Sequence, residues 1–225
     1  MTIGGETVPA ATAGLRVFEV FPEVPFITAA KARYLYDLVS SKRVESCLEL
    51  GFAHGKSSAV IAEALDDSGR GHLTSVDYPH ALDRKPNLPT ILGRLALDHR
   101  VSVRTDPEGF HWTLMAMLEE KPRPQFDFVF FDGAHTWSGT GFAFLLVEKM
   151  LKPGAWVVFD DLDWTIKWSL DRKKSRNQRT KTREADYSER ELVTPQVNKV
   201  WDLLVTEDRY GERRRAGKLA IAQRR

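Results

Sequence analysis

The chain has 225 residues, 42% of them hydrophobic and 28% charged, with a net charge of +2. That balance excludes a mostly disordered chain, a collagen and a coiled-coil rod. No run approaches the roughly 20 apolar residues of a membrane span, and Met1–Gly14 lacks the basic start and apolar core of a secretory signal. Cys47 is the only cysteine, so neither an internal disulfide nor a cysteine zinc site can form. Cys47 reads as a buried filler, and a cytoplasmic setting is expected.

In chain order, residues 1–24 read as a flexible arm, and Pro25–Lys42 as a helix capped by Thr28. Strand-like runs then alternate with helix-length segments. The strands are expected at Val44–Leu50, His72–Asp77, Val101–Arg104, Phe126–Phe131 and Ala155–Phe159. The helices are expected at Ser57–Leu65, Thr90–Leu97, Phe110–Leu118 and Trp137–Leu151. Such alternation predicts βαβ units and a mostly parallel, doubly wound sheet in one domain over 25–225. Phe128–Phe131 and Trp156–Phe159 are apolar throughout, as suits central strands covered on both faces. Lys152-Pro153-Gly154 reads as a loop.

Asp171–Arg183 carries seven bases and one acid. The stretch 171–190 lacks an apolar face and reads as a basic insertion, either a solvated loop or a lid. Helical spacing returns at Val197, Val200, Trp201 and Leu204. The end, over 207–223, reads as an antiparallel hairpin turning at Gly217.

Two loops carry the chemistry. Glu49-Leu50-Gly51-Phe52-Ala53-His54-Gly55-Lys56-Ser57 ends the first strand and opens a helix. Its Gly-x-x-x-Gly spacing is neither a P-loop nor a dinucleotide fingerprint. Gly51 and Gly55 allow close approach to a ligand, and Ser57 is a candidate cap whose helix terminus attracts anions. Asp77, at the end of the second strand, can accept ribose hydroxyls. The second loop set joins Asp132 to Asp160 and Asp161, at the ends of neighbouring strands. Three gathered carboxylates call for a hard divalent cation such as Mg²⁺, unless one or two of them cap helices or pair with Lys or Arg.

Glu-Leu-Gly-x-x-x-Gly-x-Ser followed by a strand-end acid resembles class I S-adenosylmethionine-dependent methyltransferases. The resemblance runs from about Val44 to the end. It implies a seven-stranded sheet and a cofactor held by Gly51, Phe52 and Gly55, with Glu49 near its amino group and Ser57 near its carboxylate. Asp77 would meet the ribose, and Asp106 would lie near the adenine. Asp132-Gly133-Ala134-His135 with Asp160-Asp161 is similar to the metal-dependent O-methyltransferases. The likeness is nearer to the branch acting on antibiotic sugars than to the catechol type, whose Asp-Asn pair and lysine are here Asp160-Asp161 and His135. Asp132, Asp160 and Asp161 would then hold Mg²⁺ and His135 would be the general base, with His111 and His54 as rivals. Trp164 and Trp168 could wall the acceptor site or pack on the core. The expected partner is a small hydroxyl acceptor such as a sugar or other diol, with no membrane; a homo-oligomer is left open. A nucleic-acid methyltransferase using the basic segment and a non-catalytic S-adenosylmethionine-binding protein are the alternatives.

Overall fold

The computed structural model describes residues 14–175 and 183–225. Its strands are β1 (Ser46–Leu50), β2 (His72–Asp77), β3 (Val101–Thr105), β4 (Phe126–Phe131), β5 (Leu151–Phe159), β6 (Tyr210–Ala216) and β7 (Leu219–Arg224). Its helices are α1 (Arg16–Val20), α2 (Ala29–Lys42), α3 (Lys56–Asp67), α4 (Leu88–Leu95), α5 (Phe110–Glu119), α6 (Trp137–Val147), α7 (Ile166–Ser175), α8 (Glu189–Val193) and α9 (Gln196–Leu204). The seven strands form one sheet in the order β3-β2-β1-β4-β5-β7-β6. β1 to β5 pair in parallel, and β7 runs antiparallel to both β5 and β6. The expected doubly wound sheet with its C-terminal hairpin is therefore present.

The central strands explain themselves through their period of two. Phe128, Phe130, Trp156 and Val158 enter one core with residues of α2, α3 and α4. Val129, Phe131, Val157 and Phe159 enter the other, with residues of α5, α6 and α9. Covering both faces requires apolar residues at every position, so alternation disappears from the sequence.

Several elements differ from the sequence reading. β5 begins at Leu151 because Lys152-Pro153-Gly154 lies within the strand, where the register with β4 shifts between Phe126 and Phe128. A proline is tolerated at such an irregularity. α4 begins at Leu88 because the Asn87 side chain accepts from Thr90 N–H at 3.0 Å and Pro89 fits the first turn. The basic stretch is helical in part: Arg172, Lys173 and Lys174 complete α7, and α8 follows. Arg176, Arg179 and Lys181 lie outside the described residues.

The end of the expected arm is part of the core. Leu15, Val17, Phe21 and Val24 are buried. The backbone N–H of Arg16 donates to the buried Glu63 of α3 at 2.9 Å. The buried ammonium of Lys56 donates to the carbonyls of Pro22 (3.3 Å) and Val24 (2.8 Å) and lies over the Phe18 ring. Thr28 does cap α2, accepting from Lys31 N–H at 3.4 Å.

Candidate functional site

β1 and β4 are neighbours, and the sheet order reverses between them. Ligands of open α/β sheets bind outside the strand carboxyl ends at such a reversal. The loops there, 51–55 and 132–136, lie against each other. A Cβ on Gly51 would come within 2.6 Å of the Asp132 carbonyl oxygen, and Gly51 has φ +95°. Gly51 is thus required by the neighbouring loop itself. Gly55 (φ +98°) has the same character, since a Cβ there would meet Leu88. Gly55, not Ser57, occupies the N-cap of α3, and Ser57 is a buried residue of its first turn.

Asp77 shapes the glycine loop directly. Its Oδ2 accepts from Phe52 N–H (3.0 Å) and Ala53 N–H (2.8 Å), and its Oδ1 from Tyr78 N–H (2.7 Å). A carboxylate has about four acceptor positions, so about one remains for a ligand. Asp106 accepts from Glu108 N–H at 2.8 Å in the turn after β3, and that turn reaches the Asp77 loop where Gly109 meets the Tyr78 ring.

Glu49 is fully buried. Its Oε2 accepts from Ser58 Oγ and, at 2.8 Å, from Ser75 Oγ, whereas its Oε1 has no partner among the described residues. Burial pushes its carboxyl up to about 7 against the opposing serine hydroxyls, with Asp77 adding to the rise. A buried carboxylate oxygen without a donor fits a cationic ligand group. Beside this loop lies a narrow cleft of about 20 Å³ lined by Pro25, Phe26, Ile27, Phe52, Ala53, His54, Lys56, Ser57 and Asp132. Phe26 stacks on His54 at 5.7 Å, with the Arg84 guanidinium on its ring. The Pro25–Ile27 wall escaped sequence reasoning, because no glycine or acid marks it.

The acidic cluster is arranged differently from the expectation. Atoms of Asp132, His135 and Asp161 lie within 4.8 Å of one another. Asp160 is not in this group: it is buried in a close ion pair with the Lys31 ammonium and also accepts from Asp161 N–H. Lys31 reaches Asp161 Oδ1 as well, at 3.2 Å. Burial raises Asp132 well above the usual carboxylate range, and Asp160, Asp161 and Glu49 add to this while Lys31 opposes it. Burial pulls Lys31 down, but its two carboxylates outweigh that and hold it above an ordinary lysine. His135 and Asp161 both have positive φ, +40° and +55°.

Burial holds His135 below its usual value, with Asp161 opposing and Lys31 reinforcing the shift. Its ring lies 5.2 Å from that of Trp164. A small recess beside Asp161 is lined by Trp164, Trp168, Asp163 and Lys218, so both indoles adjoin the cluster. The other histidines are committed elsewhere. His54 Nδ1 pairs with the Pro86 carbonyl oxygen at 2.7 Å, and His111 Nε2 with that of Gly139 at 2.8 Å.

No curated protein matches the chain. Among solved structures, an O-methyltransferase from Bacillus cereus in complex with SAH superposes with a TM-score of 0.63 at 19% identity, covering 96% of this chain and 91% of that one. TomG from Streptomyces achromogenes, an O-methyltransferase of tomaymycin synthesis in complex with SAM, gives 0.62 at 18%, covering 97% and 91%. SAH-bound PaMTH1, a methyltransferase from Podospora anserina, gives 0.65 at 12%, covering 99% and 91%. At these identities the likeness establishes the fold. A family model described as a methyltransferase domain matches residues 48–162, just over half of the chain, including the 51–55 and 132–136 loops and Asp160-Asp161. The chain therefore belongs to the methyltransferase-domain family.

Proposed function

We propose that the protein transfers the methyl group of S-adenosylmethionine to a hydroxyl of a small acceptor, a sugar or other diol, with a divalent cation at the acidic cluster. One observation carries the reading: Asp132 both lines the glycine-loop cleft and belongs to the cluster with His135 and Asp161. A methyl donor and an acceptor oxygen held at these two places would meet across a single residue.

Each side chain has a task. Glu49 Oε1 would take the α-ammonium of the cofactor, and Ser57 its carboxylate. The cleft, about 20 Å³ in this structure, would have to open to admit the methionine end. The nucleoside would extend along the rim, with Asp77 offering its remaining acceptor position to the ribose and the Asp106 turn lying toward the adenine.

Asp132 and Asp161 would hold the cation, and their oxygens suit Mg²⁺. Such an ion makes a bound hydroxyl easier to deprotonate. A neutral imidazole has one free lone pair, so His135 either binds the cation or accepts the proton. Since Mg²⁺ prefers oxygen, the proton is assigned to His135, and burial keeps the ring neutral for that role. Trp164 and Trp168 would flank the acceptor, as aromatic faces do for sugar rings.

The test is methyl transfer from S-adenosylmethionine to a panel of sugars, catechols and RNA, with and without EDTA. Transfer to a small diol that stops in EDTA and returns with Mg²⁺ is expected. Transfer to RNA alone, or at full rate in EDTA, would overturn the reading.

A further inference from the structure

Lys31 places a fixed positive charge beside the cluster, where no motif predicted one. Its ammonium contacts Asp160 Oδ1 closely and Asp161 Oδ1 at 3.2 Å, and its side chain is only 16% exposed. The ammonium cannot drift off easily, because α2 packs on α3 and the preceding Pro25–Ile27 segment walls the glycine-loop cleft. Asp161 is also fixed, since its carbonyl accepts from Trp164 N–H at 2.9 Å and its backbone is left-handed. Asp161 thus stands between two claimants: the ammonium on one side, and the space it shares with Asp132 and His135 on the other.

We propose that Lys31 is a built-in competitor for the divalent cation, sharing Asp161 with it and keeping its affinity low. The inference rests on the cation assigned to Asp132 and Asp161 above. Two effects act together. The ammonium already satisfies part of the negative charge that would attract a cation, and its own charge repels one held a few ångströms away, in a partly buried site where screening by water is weak. Asp160 serves as the anchor that keeps Lys31 in place, which explains why a second aspartate stands there without joining the cluster.

The test measures Mn²⁺ binding by electron paramagnetic resonance of the free ion in wild type, Lys31→Met and Lys31→Arg. S-adenosylmethionine calorimetry on the same proteins reports whether α2 remains docked. Lys31→Met should bind Mn²⁺ at least about tenfold more tightly than wild type, and Lys31→Arg within about threefold of it. Unchanged or weaker Mn²⁺ binding by Lys31→Met, with cofactor binding intact, overturns the proposal and leaves the function above standing. No Mn²⁺ binding by any of the three overturns both.

Discussion

Glu49 ties folding stability to pH through one buried side chain. Its carboxyl is raised from an ordinary 4.5 to about 7, chiefly by burial. The folded chain therefore takes up a proton that the unfolded chain does not hold between these values. That contribution to stability is complete below about 4.5 and is lost as pH rises through about 7, a change of about 3 kcal/mol in all. Glu49→Gln removes the titration. Urea unfolding at about pH 5 and about pH 8 should show wild type losing stability relative to the variant by about this amount. A constant difference between the two proteins would mean that the carboxyl ionises as it does in water. The acid was legible in the sequence because it stands inside an apolar strand. Lys31 was not, since a lysine on an amphipathic helix looks solvated and its partner Asp160 lies far away along the chain. The aspartates of the cluster were legible because two adjacent strands, β4 and β5, end in them; which of them would group with His135 depended on that unseen lysine.

At the level of elements, the strands were legible because β-branched and aromatic runs have few other places to go. The N-terminal segment was not. Leu15, Val17, Phe21 and Val24 are interspersed with Arg16, Glu19, Pro22 and Glu23, and a five-residue helix gives no periodic signal. What secures the segment is tertiary: Glu63 holds the Arg16 N–H, and Lys56 gathers the carbonyls of Pro22 and Val24. A frayed arm would tolerate truncation of its side chains, whereas a core element would not. Leu15→Ala should cost about 2–5 kcal/mol in urea unfolding, as for other buried leucines. A loss below about 0.5 kcal/mol, the usual range for surface substitutions, would return the segment to an arm. Its docking also matters to the site, because the residues that follow it, Pro25–Ile27, wall the cleft and lead into the helix that carries Lys31.

Across the whole molecule, the reversal of strand order between β1 and β4 brings the two loops together, and the family match spans both. The sequence resemblance implied this sheet, and β3-β2-β1-β4-β5-β7-β6 is the order found. Among the described residues no helix is long and apolar enough to cross a membrane. In the proposed function, one end of the sheet would hold two adjoining sites with separable duties, the glycine loop for the methyl donor and the Asp132–His135–Asp161 cluster for the acceptor. The direct measurement is calorimetric titration of S-adenosylmethionine into wild type and His135→Ala, with turnover followed on the same samples. Matching cofactor affinities are expected, with turnover lowered about 10²–10⁴-fold in the variant. Wild type that binds no S-adenosylmethionine, or a variant that loses cofactor affinity in step with turnover, would contradict it.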